Sequence, residues 1–252
     1  MRLQLCTWQE VETYLKTSTG IIIPIGSTEQ HGPNGFIGTD ALCPELVAGG
    51  VGEKTGAMIA PTQSLGMAQH HLGFPGSITL RPSTLIAVIQ DTVNSLARHG
   101  FDRFFFLNGH GGNIATGSAA FSEIYAESSL GTAGHNRPPV RCRMQSWWDC
   151  EPVKKLSEKH FGNSEGSHAT PSEVSLTYYG YQTDAERVRH AAMSPKIAPN
   201  GTIYDADDYR RRFPDGRIGA DPSLATPEIG EALYKAAVDE MAAKYQAFLE
   251  EA

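Results

Sequence analysis

Apolar residues along the chain form two alternating patterns, short continuous runs and longer stretches with helical spacing. The short runs at 21–25 and 103–107 are rich in isoleucine and phenylalanine, which is typical of strands buried on both faces. Between them, residues 83–97 repeat apolar side chains every three or four positions, and Arg98, His99 and Gly100 follow as a basic last turn and a stop. Strands that alternate with helices predict the α/β class with a mostly parallel sheet.

Other local signals extend this prediction along the chain. Thr7 and Glu10 form a capping-box pattern that predicts a helix at about 8–16, and Thr226-Pro227 begins a terminal amphipathic helix. Further strands are predicted at 58–60 and 140–145, and a helix at about 116–128. We therefore expect one three-layer α/β/α domain over residues 1–252. Residues 181–225 lack sustained periodicity and predict a surface excursion that would serve as a lid or a subunit contact.

Composition narrows the class of protein. With 252 residues and 40% hydrophobic content, the chain can bury the core of a single domain. Apolar runs of about five residues are too short to cross a bilayer, and the N-terminus lacks a secretory signal, so we expect a cytoplasmic protein without a membrane partner. Four scattered cysteines favour reduced thiols. A net charge of −7 without a long basic run argues against nucleic acid as a partner.

Histidine and carboxylate side chains, which commonly bind metal ions, follow the predicted strands. Glu29, His31 and Asp40 come after the first strand, and His110 follows the phenylalanine strand. His168 and Glu173 lie in a later loop and at a helix start. Because parallel strands bring their carboxyl ends to one edge, these side chains are expected to converge there. Imidazole and carboxylate ligands without thiolate suit Zn²⁺, Mn²⁺, Fe²⁺ or Co²⁺, and two such ions would activate water for hydrolysis.

Two of these carboxylates have an ordinary structural alternative. Asp40 is placed to cap a helix that Gly49 and Gly50 would weaken, and Glu173 completes a capping box with Thr170. The sequence leaves both alternatives open.

Four motifs together resemble the creatininase (creatinine amidohydrolase) family. They are PIGSTEQHG at 24–32 with GTD at 38–40, HLGFPG at 71–76, NGHGGN at 108–113, and HATPSEVS at 168–175. The first and third are specific in combination, whereas the other two are weak alone. The resemblance spans residues 20–180 and implies a creatininase-like three-layer fold and a dinuclear, metal-dependent amidohydrolase that acts on C–N bonds other than peptide bonds.

The resemblance also implies roles for individual residues. Glu29 and His110 would bind one metal, His31 the other, and Asp40 would bridge the two. His168 would act as the acid/base that relays a proton from the metal-activated water to the leaving nitrogen. The expected cofactors are two divalent ions, Zn²⁺ with Zn²⁺, Mn²⁺ or Fe²⁺. Family members are often homo-oligomers, and a hexamer is expected.

Departures from the family pattern affect the ligands and the substrate. Creatininase proper has Tyr and Glu where this chain has Gly111 and Gly112, so Glu173 is the expected replacement ligand. The smaller residues favour a substrate other than creatinine, such as a related cyclic amide or a formamide. His71, Gly111, Gly112 and Trp147 are the expected substrate-binding residues. A peptidase acting in cofactor maturation and a non-catalytic metal-binding pseudoenzyme remain alternatives.

Two unrelated functions have weaker support in the sequence. Gly162–Gly166 fits the G-x-S-x-G pattern of serine hydrolases, but a polar, helical stretch precedes it instead of a strand. Gly109-His110-Gly111 lies between a strand and a helix, as a dinucleotide-binding loop does. Ile114 occupies the position where that loop needs a third small residue.

Overall fold

The computed structural model describes residues 1–132, 138–188 and 193–251. The elements in chain order are α1 (Trp8–Tyr14), β1 (Gly20–Ile25), α2 (Thr39–Thr55), β2 (Met58–Ile59), α3 (Pro82–Ala97), β3 (Arg103–Asn108), α4 (Asn113–Ser129), β4 (Arg141–Ser146), α5 (Glu151–His160), α6 (Pro171–Gly180), α7 (Gln182–Val188), α8 (Ala206–Arg212) and α9 (Pro227–Leu249). Short 3₁₀ turns lie at Leu3–Leu5, Gln69–His71, Gly162–Ser164 and Pro222–Leu224. None of the helices in these ranges is both long enough and apolar enough to cross a bilayer.

The strands pair in parallel in the order β2-β1-β3-β4, which confirms the predicted parallel sheet. Successive side chains point to opposite faces, so Phe104 and Phe106 pack with α3 and α4 whereas Phe105 packs with α2 and α9. Helices thus cover both faces, and the three-layer α/β/α prediction is confirmed. Ile25 pairs with Asn108 at the ends of β1 and β3, so the loops after these strands leave the sheet side by side.

Helix α2 differs from its prediction in two ways. Its N-cap is Gly38, and Asp40 lies in the first turn with its side chain turned toward two histidines, so the prediction that Asp40 caps this helix is wrong. The helix also continues past Gly49 and Gly50 to Thr55. It does so because α9 packs closely on it, and a β-carbon at Gly50 would lie 2.4 Å from Tyr234 Oη. Tertiary packing here outweighs the low helix propensity of glycine.

The second half of the 181–225 segment was predicted to be a surface excursion, but it packs closely on the rest of the domain. Residues 189–192 of this segment lie outside the described ranges. Tyr209, Phe213 and Ile218 are buried together with Phe74. The buried Arg217 guanidinium donates to a carboxylate oxygen of Asp215 and to the carbonyl oxygens of Pro195, Lys196 and Ala220. These hydrogen bonds hold distant parts of the segment against one another. Ile218 also pairs with His168, so this segment supports the site.

Candidate metal centre

Four of the predicted ligands meet at the carboxyl edge of the sheet. Glu29 and His31 lie in the loop after β1, Asp40 lies in the first turn of α2, and His110 follows β3. Their side chains are nearly inaccessible to solvent. The structure therefore brings together residues that are up to 81 positions apart in sequence (110 minus 29).

The two carboxylate oxygens of Asp40 face different histidines. Asp40 Oδ1 lies 2.9 Å from His31 Nε2, and Asp40 Oδ2 lies 2.7 Å from His110 Nδ1. His110 is also near Glu29, with 3.4 Å between His110 Nε2 and Glu29 Oε2. Two groups of ligand atoms that are spaced for a metal ion share Asp40, one with Glu29 and His110 and one with His31 and Glu173.

Backbone carbonyls orient both imidazoles. His31 Nδ1 lies 3.0 Å from the carbonyl oxygen of Glu29, and His110 Nε2 lies 2.9 Å from that of Met67. A carbonyl oxygen only accepts, so these nitrogens carry the hydrogens. The other nitrogen of each ring, which faces Asp40, is left with a lone pair in the neutral ring. A hydrogen bond from one ring nitrogen to a carbonyl oxygen, with the other nitrogen left to bind, is the usual arrangement for histidines that bind metals.

The buried oxygens in the centre lack ordinary partners. Both oxygens of Glu29 and Oδ2 of Asp40 are buried without a hydrogen bond of good geometry. Unpaired buried carboxylate oxygens cost free energy unless a cation compensates for them. The carboxylates of Glu29, Asp40 and Glu173 and the imidazole nitrogens of His31 and His110 that face Asp40 form a donor set that suits divalent transition metals. The residues present therefore fit a metal centre.

Without metal, these groups strongly perturb one another. Burial opposes the charged form of His31, but the carboxylates of Asp40, Glu173 and Glu29 raise its pKa to about 10. Burial likewise opposes the charged form of His110, and Glu29 and Asp40 raise its pKa to about 9. Burial alone would raise the pKa of Asp40, yet the two imidazoles hold it well below its ordinary value. The pocket therefore provides concentrated negative charge that attracts positive charge.

Glu173 caps α6 and also lies near the centre. Its Oε1 accepts from the backbone N–H of Thr170 at 2.6 Å, and Thr170 Oγ1 accepts from the N–H of Glu173, which completes the capping box of α6. The same Oε1 lies 3.9 Å from His31 Nε2. Burial raises the pKa of Glu173, and the nearby His31 opposes that shift. A carboxylate in this position can cap the helix and still reach a cation.

The two roles of Glu173 can be separated by substitution. Glu173→Gln keeps a side-chain oxygen for the capping box but removes the negative charge. We expect its unfolding free energy without metal to change by less than about 0.5 kcal/mol. Metal bound beside His31 should weaken by at least roughly tenfold, because an anionic ligand is lost. Thr170→Ala is the matched control, since it should cost about 1 kcal/mol of stability and leave metal content unchanged. Denaturant titration and elemental analysis measure the two effects.

His168 lies next to this centre on a constrained loop. Its Nε2 donates to the carbonyl oxygen of Gln30 at 2.8 Å, and its Nδ1 lies 3.7 Å from Glu29 Oε1. The following residue, Ala169, is buried with φ of 55°, a backbone conformation that non-glycine residues rarely adopt. This sharp turn lets His168 and Glu173 face the same centre. Burial, His71 and His31 lower the pKa of His168, which favours its neutral form.

A cavity of about 860 Å³ opens onto the centre. Gly111, Gly112 and Trp147, which the sequence predicts to bind substrate, line it together with Trp148, Ile203 and Tyr204. Trp147 also belongs to the core between the sheet and α9. His71 lines the cavity but is 1% exposed, and its Nε2 lies 3.0 Å from Glu29 Oε1. His71 thus contacts a predicted metal ligand.

Gly111 and Gly112 differ sharply in the space around them. A β-carbon on Gly112 would lie 2.4 Å from His110 Nε2 and 2.6 Å from the Met67 carbonyl oxygen, whereas one on Gly111 meets nothing within 4 Å. We expect Gly112→Ala to displace the imidazole from its carbonyl partner and to weaken metal binding about 10- to 100-fold. Gly111→Ala is the matched control and should bind metal normally. Chelator competition measures both, and equal affinities would contradict the steric argument.

Sequence reasoning missed two residues that support the centre. Gln30 is buried between the two ligands Glu29 and His31, and its side chain contacts His71 and Gly216. Its position inside the EQH motif, between two predicted ligands, was the signal that the sequence offered for it. Tyr209 packs its ring on His71 from α8, and no local pattern indicated this.

The serine-hydrolase alternative does not fit the structure. Ser164 ends a 3₁₀ turn that follows helix α5 and Phe161, so no strand precedes it. A nucleophile elbow requires a strand that leads directly into the serine turn. The pattern at 162–166 instead forms the loop that leads to His168.

Comparison with known proteins identifies relatives of this chain. The sequence model of the family described as "Creatininase: Creatinine amidohydrolase" matches residues 4–245. A creatinine amidohydrolase from Pseudomonas putida is 35% identical over 94% of this chain and 92% of that protein. A mycofactocin precursor peptide peptidase from Mycolicibacterium smegmatis is 30% identical over 61% of this chain and 59% of that protein. A solved structure described as "Creatininase Mn" has a TM-score of 0.83 with 23% identity, covering 99% of both chains.

Proposed function

Because the chain belongs to the creatininase (creatinine amidohydrolase) family, we propose that it hydrolyses an amide C–N bond with a dinuclear metal centre. The observation that carries this proposal is the position of Asp40 between two histidines. One carboxylate oxygen faces His31 and the other faces His110, as a ligand shared by two ions requires. Glu29 and Glu173 complete the two groups of ligands.

In this proposal, Glu29 and His110 would hold one ion, His31 and Glu173 would hold the other, and Asp40 would be a ligand of both. When bound, two divalent ions lower the pKa of a water molecule and polarise the substrate carbonyl. Creatininase proper has a Glu ligand at the position of Gly112, but a side chain there would collide with His110 in this chain. The proposed replacement for that ligand is Glu173. A carboxylate from α6 therefore takes the position that creatininase proper fills from the loop after β3.

His168 is the proposed general acid and base. Because Nε2–H is donated to the Gln30 carbonyl, the lone pair of the neutral ring is on Nδ1, the nitrogen that faces the centre. Nδ1 would accept a proton from the attacking water and return it to the leaving nitrogen. An imidazole performs both half-steps near neutral pH.

The proposed substrate is creatinine, a related cyclic amide or a formamide. Open space beside Gly111 supports a substrate that differs from creatinine in shape. A peptide substrate is the second candidate, because the cavity of about 860 Å³ exceeds the size of a small cyclic amide and extends to Trp148 and Tyr204. One relative is described as a precursor peptide peptidase.

The proposed ions are Zn²⁺ paired with Zn²⁺, Mn²⁺ or Fe²⁺. Neutral imidazole suits zinc and iron, and carboxylate oxygen suits manganese, so the mixed donor set accepts each of them. A structurally similar creatininase is described with Mn.

Elemental analysis coupled to a substrate screen tests the proposal. The purified protein would be loaded with Zn²⁺ or Mn²⁺ and offered creatinine, N-substituted formamides and short peptides, with product amine as the readout. About two metals per chain with turnover of an amide would support the function. About two metals without any turnover would favour a metal-binding pseudoenzyme, and a chain that binds no metal would refute the centre.

The expected cellular setting and assembly are also proposals. Four cysteines that form no disulfide bond with one another, two of them buried, suit a reducing compartment such as the cytoplasm. The homo-oligomer implied by the family, with a hexamer as the expected form, stays a prediction that sedimentation analysis would check.

A further inference from the structure

The side chain of Gln30 connects the centre to the segment that contains α8. Gln30 is 6% exposed and follows the predicted ligand Glu29 directly. Its Oε1 accepts from the Gly32 N–H at 2.9 Å, and its Nε2 lies 2.9 Å from the Gly216 carbonyl oxygen. An N–H cannot accept and a carbonyl cannot donate, so these two contacts fix which end of the amide is oxygen and which is nitrogen.

That orientation determines the state of His71. Gln30 Nε2 lies 2.9 Å from His71 Nδ1, and an amide nitrogen only donates. His71 Nδ1 must therefore be the unprotonated nitrogen, and its ring hydrogen is on Nε2. Nε2 lies 3.0 Å from Glu29 Oε1, so the protonated nitrogen of His71 lies beside the carboxylate of a proposed metal ligand, although the two atoms do not form a hydrogen bond of good geometry.

The backbone of the same residue acts on His168. The carbonyl oxygen of Gln30 lies 2.8 Å from His168 Nε2 and can only accept, so His168 also carries its hydrogen on Nε2. Gln30 Nε2 lies 3.0 Å from the same nitrogen, but its two hydrogens are used by the Gly216 carbonyl oxygen and by His71 Nδ1, so it donates none to His168. The two rings stack with 4.3 Å between their centroids. The nitrogen of His71 nearest Glu29 is thus the protonated Nε2, whereas the nitrogen of His168 nearest Glu29 is the unprotonated Nδ1.

We propose that Gln30 is a positioning residue that assigns different tasks to two adjacent histidines, through its side chain for His71 and through its backbone for His168. His71 then keeps its protonated Nε2 beside Glu29, where the positive end of the N–H bond stabilises the position of that carboxylate for metal binding. His168 keeps Nδ1 free for proton transfer. The assignment of the two histidine tautomers does not depend on the proposed function. The role of His168 in proton transfer does rest on the proposed function.

The segment that contains α8 keeps Gln30 in this orientation. Tyr209 Oη donates to the Gly216 carbonyl oxygen at 2.8 Å, and Gly216 has φ of 88°, which favours glycine. A β-carbon on Gly216 would lie 1.8 Å from Gln30 Oε1. Gly216→Ala should therefore displace the Gln30 side chain without altering any histidine.

The test measures histidine tautomers directly at one fixed pH. Metal-free protein labelled with ¹⁵N-histidine would be studied by solid-state NMR, which tolerates a large assembly, with His71→Gln and His168→Gln to assign the signals. In the unmodified chain we expect hydrogen on Nε2 of both rings. Gln30→Met, which retains bulk without a donor, should release the His71 tautomer and leave His168 unchanged, because the backbone carbonyl remains. Gly216→Ala should reproduce the His71 effect.

Metal binding provides the second readout. Gln30→Met should weaken Zn²⁺ binding at one site about 10- to 100-fold in chelator competition, as the loss of a hydrogen bond that orients a residue beside a metal ligand does. Gln145→Met is the matched control, because the Gln145 side chain in β4 donates to the backbone carbonyl oxygens of Ser146 and Asp149, and it should bind Zn²⁺ normally. Hydrogen on Nδ1 of His71 in the unmodified chain would overturn the proposal even if no variant folds. So would an unchanged His71 tautomer in both a folded Gln30→Met and a folded Gly216→Ala.

Discussion

Asp40→Ala is expected to reduce metal content from about two ions per chain to less than one and to lower hydrolysis on the order of 10³-fold. The reason is that one carboxylate faces both histidines, so its removal opens both groups of ligands together. Metal-polarised groups supply several kcal/mol of transition-state stabilisation, and each 1.4 kcal/mol corresponds to about tenfold in rate. Elemental analysis and steady-state kinetics on the best amide substrate measure the two losses.

Two companion variants make the Asp40 result specific. Asp40→Asn keeps the volume and one oxygen, so it should retain part of the metal but lose most of the activity. Asp239→Ala removes an exposed carboxylate that pairs with Lys54 and should leave both quantities unchanged. Full metal content and full rate in Asp40→Ala would contradict the dinuclear assignment.

His168→Gln is expected to lower kcat about 10²- to 10⁴-fold while metal content stays at about two per chain. Glutamine can still donate to the Gln30 carbonyl, but it provides no group that accepts and returns a proton. The effect should appear in kcat more than in KM, since a proton relay acts in the transition state. The measurement combines steady-state kinetics with elemental analysis of the same preparation.

Metal content decides between two roles for His168. Glu29, His31 and His168 also lie close enough together to hold an ion, so His168 has an alternative role as a ligand. Loss of metal in His168→Gln would favour that alternative and remove His168 from the proton relay. His160→Gln, at the exposed end of α5, is the matched control and should change neither quantity.

The predictions that succeeded rest on local patterns. The strands β1 and β3 follow from runs of isoleucine and phenylalanine, and the start of α6 follows from its capping box. The role of an individual side chain does not follow from local patterns, because one residue type suits several roles, such as helix capping and metal binding. Asp40 looks like a helix cap in sequence, yet its carboxylate turns away from the helix to meet His31 and His110.

The sequence by itself determined the three-layer class and the edge of the sheet at which the site lies. It also identified four candidate metal ligands, which are Glu29, His31, Asp40 and His110. These features depend on periodicity and on the direction of parallel strands, which neighbouring residues encode. Only the tertiary structure decided that Glu173 lies near His31 while capping α6, and that the Gln30 side chain contacts both His71 and Gly216. Such contacts join residues far apart in the chain, and their geometry depends on how the elements pack.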